Sequence, residues 1–322
     1  MTARGIAFAS SFGLVLAVAM VAALLPLPAG NAATTVLPSG NLVKNPGAET
    51  PAGAPVQSNP PVFPALWQSE EGLMAQGQPG KPAQSLRYGP HQFVLTPALS
   101  AAIGGGRTFF SGGYAGHISS AFQTIDVSGA AADFGAGDVK ACFSAYLGGG
   151  LEGAAAQNPT ARADLQFLAE DGSALGQLGL GPVTKGHRKN AATLLWRASE
   201  RAVPEQTRQL RVSLTFTGFF ASGAFADNVS VALTKGRCIP QLAVRCQRGA
   251  LVATVSPSDG LRTQRVRFQV RGAKGQKLAN DARAPYTARV PMSGLSGRLT
   301  VTATLAQAGS GNVVLTKKSR RC

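Results

Sequence analysis

Apolar and polar residues alternate with a period close to two in stretch after stretch of this chain, and each stretch is bounded by Gly, Pro, Asp or Asn. That pattern predicts β-strands over Ser119–Val127, Val139–Leu147, Arg162–Ala169, Thr193–Ser199, Gln209–Thr217 and Phe225–Leu233. A second group follows over Gly249–Val255, Gln264–Arg271, Tyr286–Val290, Arg298–Leu305 and Val313–Lys317. Glu170-Asp171-Gly172-Ser173 predicts a hairpin turn, because glycine tolerates the positive φ that such a turn requires. Glu200–Gln206 reads as an exposed loop, and Ser39–Gln84, rich in Pro and Gly, as loop around one or two short strands. The gaps between strands are too short for the helical crossovers of a parallel sheet, so the fold class is all-β, built as antiparallel sandwiches.

One stretch breaks the alternation. Arg4 precedes an unbroken apolar run from Phe12 to Leu25, which Pro26 interrupts, and Gly30-Asn31-Ala32-Ala33 offers small residues for signal peptidase. The run falls short of the roughly 20 residues that span a bilayer. Residues 1–33 therefore read as a secretory signal cleaved after Ala32 or Ala33, leaving a secreted chain without a membrane span. An uncleaved anchor would need the run to extend back through Ile6–Ser11. Export implies an oxidising setting, where four cysteines are expected as two disulfides.

Composition then divides the mature chain. The 322 residues hold 39 Gly, 20 Pro and only 14% charged residues, against 44% hydrophobic, which favours short strands over long helices. Residues 1–238 carry 16 Lys+Arg and 13 Asp+Glu, whereas residues 239–322 carry 15 Lys+Arg, mostly arginines, and only Asp259 and Asp281. A step this sharp near Cys238-Ile239-Pro240 marks a boundary, giving one body over 34–238 and a basic one over 239–322. Arginine keeps its charge at any working pH and suits planar oxyanions.

Certain motifs point further. Asn41-Leu42-Val43-Lys44-Asn45-Pro46-Gly47-Ala48-Glu49, then Trp67, and near the end of the first body Phe225-Ala226-Asp227-Asn228-Val229, together resemble the galactose-binding-like jelly roll of carbohydrate-binding modules and of accessory domains in secreted actinobacterial proteins. The resemblance covers roughly residues 36–235. It implies a jelly-roll β-sandwich in which Glu49 and Asp227 help hold a structural calcium tying the first strand to the last, with Trp67 in the core. The alternative is that both carboxylates serve turns or caps. Val266-Arg267-Phe268, Asp281, Pro285-Tyr286-Thr287 and Leu299-Thr300-Val301-Thr302-Ala303 resemble a bacterial immunoglobulin-like domain, which implies a smaller second sandwich acting as spacer or contact module.

Of the three possible pairings, Cys142 with Cys238 and Cys246 with Cys322 keep each bridge within one body; the rival joins Cys238 to Cys246 across the linker. Catalytic chemistry has little to work with. His91, His117 and His187 stand far apart, no Gly-x-Ser-x-Gly elbow occurs, and Glu70, Glu71 and Glu152 lie in loops without an evident partner. Gly148–Gly153 satisfies G-x-G-x-x-G, but Asn158-Pro159 follows too soon for a phosphate-binding helix. Cys-x-x-Cys and His-x-x-x-His zinc spacings are missing. Sugar binding would need exposed aromatic faces, for which Trp196 and Tyr114, then Tyr88 and Phe220, are the candidates. The sequence thus points to a secreted, monomeric, non-catalytic binding protein for a glycan or anionic cell-wall polymer, with nucleic acid disfavoured by the lack of interleaved aromatics. The alternative is a structural spacer of the cell surface or matrix.

Overall fold

A computed structural model describes residues 37–320 apart from 56–60, 71–73, 76–77, 80, 90–94, 113–117, 151–157, 219–222 and 310. Residues 1–36, where the sequence predicts an export signal, together with Tyr114, Phe220, His91, His117, Glu71, Glu152 and Cys322 therefore lie outside the described residues. Among those described, no helix is long and apolar enough to cross a membrane.

The first body is built from β1 (Met74–Ala75), β2 (Gln78–Pro79), β3 (Lys81–Pro82), β4 (Gln84–Arg87), β5 (Thr108–Ser111), β6 (Ile118–Asp126), β7 (Lys140–Gly149), β8 (Thr160–Leu168), β9 (Ala174–Val183), β10 (Thr193–Ala202), β11 (Gln209–Thr217) and β12 (Ala224–Thr234). Two short helices, α1 (Pro97–Ile103) and α2 (Ala131–Phe134), interrupt them. Two five-stranded sheets result, ordered β10-β7-β12-β5-β4 and β3-β6-β11-β8-β9. The alternation explains the packing. In β11, Leu210, Val212, Leu214 and Phe216 are wholly buried while Arg211, Ser213 and Thr215 face outward, and β8 does the same with Ala161, Ala163, Leu165 and Phe167. Burying four such side chains on each of two strands, at about 1.5–3 kcal/mol for each large one, drives the sheets together. β12 is buried along its whole length, consistent with its place between β7 and β5.

The second body comprises β13 (Gln241–Gln247), β14 (Ala250–Ser256), β15 (Thr263–Arg271), β16 (Gln276–Asp281), β17 (Tyr286–Pro291), β18 (Leu299–Gln307) and β19 (Gly311–Ser319). They form a three-stranded sheet, β13-β14-β17, and a four-stranded one, β16-β15-β18-β19. Leu251, Val255, Phe268, Val270, Val290, Val301 and Leu305 fill the core between them. The all-β expectation holds, as sandwich-like layers.

Two details differ from expectation, the segment at Glu200 and three further strands, while the expected Cys142–Cys238 bridge is present. The expected loop at Glu200 opens with strand, since β10 continues through Ala202 along β7. β9 was not foreseen, and neither were β13 and β16, which lie at sheet edges. Cys142 is bonded to Cys238, which excludes the Cys238–Cys246 pairing; Cys246 is also disulfide-bonded. The expected turn stands between β8 and β9, with Gly172 at φ +82° and the Ser173 N–H donated to Asp171 Oδ1.

Candidate functional site

The two carboxylates singled out by the jelly-roll resemblance are brought together. Asn41 stitches the opening segment to β12: its Oδ1 accepts the Val231 N–H at 3.0 Å and its Nδ2 donates to Val229 O at 2.9 Å. Asn45, at φ +49°, then closes a turn by accepting the Thr50 N–H at 3.1 Å and donating to Thr50 O at 2.7 Å. Asparagine suits this position because it tolerates left-handed backbone and bonds its own neighbours. The turn sends Ala48 into the core and leaves Glu49 exposed. On the facing strand, the register of β12 against β7 shifts between Asp227 and Ser230, with Asn228 at φ +49°. Such a bulge re-aims side chains, and here it buries Asp227 completely.

Backbone and phenol donors supply the rest of the site. Glu49 accepts the N–H groups of Arg107 at 3.0 and 3.1 Å and of Thr108 at 3.1 Å. Asp227 accepts the Asn228 N–H at 2.6 Å and the Tyr88 hydroxyl at 2.5 Å. The Gly104-Gly105-Gly106 loop that follows α1 leaves space for both, because a Cβ on Gly105 would stand 2.3 Å from Asp227 Oδ2 and one on Gly106 2.2 Å from Glu49 Oε1. Burial holds the Asp227 carboxyl well above the usual carboxylate range, with the charge of Glu49 adding to it and the two donors opposing it. Burial also raises the Tyr88 phenol, with Asp227 reinforcing the shift. Among the described residues no lysine or arginine forms an ion pair with either carboxylate, and no cluster of three His, Cys, Asp or Glu side chains is present. The neighbouring carbonyls of Gly47 and Gly106 are occupied, accepting the Thr108 hydroxyl at 3.0 Å and the Ser100 hydroxyl at 2.6 Å, so the site's two carboxylates are its charged oxygens.

This site opens on a seam between the sandwiches. Asn312, in the β18–β19 hairpin, accepts the Tyr146 hydroxyl on its carbonyl at 2.7 Å and donates its Nδ2 to Ala102 O at 3.3 Å; Asn41 donates to Gly309 O at 2.8 Å. A cleft of about 810 Å³ follows, bordered by Asn45, Glu49, Asn228, Gln307 and Asn312. Trp196 is half-buried on β10 and packs against both the second sandwich's core and a cluster containing Phe109, Tyr146 and Phe225. Its ring serves as packing at the seam. Trp67 lies against the first core, edge-on to Phe110 at 4.9 Å, with its indole N–H donated to Lys44 O.

Sequence reasoning missed a polar cluster on the outer face of the β3-β6-β11-β8-β9 sheet. Arg211 sits 3.9 Å above the Phe122 ring and pairs with Glu70 at 2.8 Å, while Arg162 grips Asp164 through two bonds of 2.7 Å. Glu70 thus has a partner that only the fold supplies. His187, the one described histidine, caps a local turn by accepting the Thr184 N–H.

The second sandwich contrasts with this pairing. Its two carboxylates are both spent on backbone: Asp259 Oδ2 accepts the Arg237 N–H at 2.5 Å, and Asp281 accepts those of Arg283 at 3.0 Å and Thr287 at 2.9 Å. Those backbone bonds hold the Asp281 carboxyl below its ordinary range. Among the described residues, every ion pair lies before residue 239.

No family model matches the chain, and no curated protein matches it. Among solved structures it is similar to the enzymatically active domain of bacteriophage CBA120 tailspike protein 4, at 16% identity and a TM-score of 0.32, over 60% of this chain and 21% of that one. It is also similar to β-glucuronidase from Ruminococcus gnavus, in the apo form and with D-glucuronic acid, each at 8% identity and a TM-score of 0.22, over 81% of this chain and under half of the enzyme. The chain therefore spans from about a fifth to under half of those structures.

Proposed function

We propose that this chain is an exported, non-catalytic binding protein that holds a glycan or anionic cell-envelope polymer, with the first body a galactose-binding-like jelly roll and the second an immunoglobulin-like contact module. The observation that carries the reading is the division of charge. Fifteen cations stand on residues 239–322 with two carboxylates, and both carboxylates are used by backbone N–H groups. Among the described residues these cations form no ion pair, and unneutralised cations concentrate anionic polymers at a surface. The Cys142–Cys238 bridge supports an oxidising destination.

Glu49 and Asp227 would hold calcium, which supplies charge compensation for a buried carboxylate. Gly47 keeps the space between them open, since a Cβ there would stand 2.9 Å from Asp227 Oδ1 and 3.5 Å from Glu49 Oε1. Retention of the purified chain on isolated cell wall and on insoluble polysaccharides, across a salt series with and without chelator, tests the reading. Retention that falls steeply with salt is expected. Passage of the chain straight through every matrix at low salt would overturn it in favour of a spacer.

A further inference from the structure

The outer face of the β16-β15-β18-β19 sheet collects side chains of an unusual kind. Val266, Phe268 and Val270 of β15 point into the core, so Arg265, Arg267 and Arg271 stand exposed on the opposite face. Arg265 and Arg267 are two residues apart on one strand, which spaces their origins at about 6.8 Å. Pairing sets what surrounds them. Arg267 lies between Asn280 on β16 and Thr304 on β18, and Gln269 between Leu278 and Thr302. Among the described residues no carboxylate forms an ion pair with Arg265 or Arg267. Asp281, at the end of this face, has its carboxylate occupied by the Arg283 and Thr287 N–H groups.

A groove of about 860 Å³ runs over the face, lined by Arg265, Arg267, Asn280, Thr304, Leu278 and Val314, walled by α1 of the first body and bordered by Asp281, whose carboxylate is the one held by backbone N–H groups. Leu278 is 49% and Val314 38% exposed. The groove thus offers two guanidinium forks, amides and hydroxyls between them, and aliphatic patches at its sides. Nucleic acid is a poor match. The only aromatic residues after position 238 are Phe268 and Tyr286, and both are buried in the core, leaving no platform on which bases could stack.

We propose that this groove binds a carboxylated polysaccharide, a chain of uronic-acid type lying along β15. Guanidinium forks match carboxylates in two parallel bonds, Asn280, Gln269 and Thr304 suit ring hydroxyls, and Leu278 and Val314 suit the apolar faces of the sugar rings. The inference rests on the anionic-polymer reading above and names its surface and its chemistry.

The test uses the full chain with sodium polygalacturonate as probe, its methyl ester as uncharged control, and single-stranded DNA of matched charge. Two double variants of equal net charge are compared: Arg265→Gln with Arg267→Gln in the groove, and Arg245→Gln with Arg289→Gln, exposed on the β13-β14-β17 sheet. All four side chains are exposed, so thermal melts should show both variants folded. The groove variant should bind polygalacturonate at least about tenfold more weakly, as two lost charge-assisted contacts imply, while the other variant stays within about threefold of wild type by rim-charge behaviour. Equal weakening of both would overturn the groove and leave diffuse attraction of anionic polymers standing. DNA binding as tight as polygalacturonate, with the same sensitivity to the groove variant, would overturn the uronate assignment. If the wild-type chain binds none of the charged probes, the groove and the reading beneath it fall together.

Discussion

The two sandwiches share a layered β architecture and differ in how they use charge. The first carries nearly balanced charge and spends it internally, in pairs such as Lys140–Glu200, Arg162–Asp164 and Arg211–Glu70. The second carries a large surplus of cations and spends its two carboxylates on turns. Exposed pairs of the first kind add only about 0–1 kcal/mol each, so balance there is not chiefly a source of stability. What it does is leave the first body without a long-range field, whereas the second projects one. A difference of this kind is a division of labour, with one half shaped by its packing and buried site and the other by its surface.

The strongest way to break the comparison is to unfold one half. Phe268 is wholly buried in the second core, and Phe268→Ala should cost about 3–5 kcal/mol there; hydrogen exchange should show β15 and β18 losing protection while β8 and β11 keep theirs. Next in size is the bridge. Cys142→Ser with Cys238→Ser should lower stability by about 2–4 kcal/mol, and because the bridge packs against Leu261 of the second sandwich, denaturant melts should report the loss in both halves.

A finer distinction concerns Asp227. Its carboxyl is held above the ordinary range, so the folded state grips that proton more tightly than the unfolded chain does. The stability this confers is fully present below about pH 4 and is lost as pH rises from there through the folded-state value. Asp227→Asn does not ionise. In divalent-free buffer the variant should therefore gain on wild type as pH climbs from about 4 to 7, and added calcium should raise the wild-type melting temperature while leaving that of the variant unmoved. The smallest effect is expected at Arg211→Ala, which removes one half-exposed ion pair and one ring contact and should cost about 1 kcal/mol in urea titrations.

Much of this was legible from the alternation of side chains. Gln209–Thr217 is bounded in the structure as the pattern bounds it, because every second residue must enter the core. β9 escaped notice because glycines at 176, 179 and 181 dilute the alternation of Leu178 and Leu180. β13 and β16 escaped for another reason. As edge strands with mostly exposed positions, Gln241–Gln247 and Gln276–Asp281 need no apolar face to be strands, only a neighbour to bond. The convergence of Glu49 and Asp227 could be expected only from resemblance, since 178 positions separate them along the sequence. The Arg211–Phe122–Glu70 cluster offered no signal at all, because it depends on register between β6 and β11.

The absence of histidine after position 187 gives the second sandwich a property its counterpart does not share. Arginine and lysine as residue types keep their protons until strongly alkaline conditions, and the backbone bonds to Asp281 hold that carboxyl below its ordinary range. The charge on that face therefore stays nearly the same across the neutral and mildly acidic range. Any acid sensitivity of adhesion through it would come from the polymer, whose carboxylates lose their charge below about pH 4, while near neutrality release would come from rising salt.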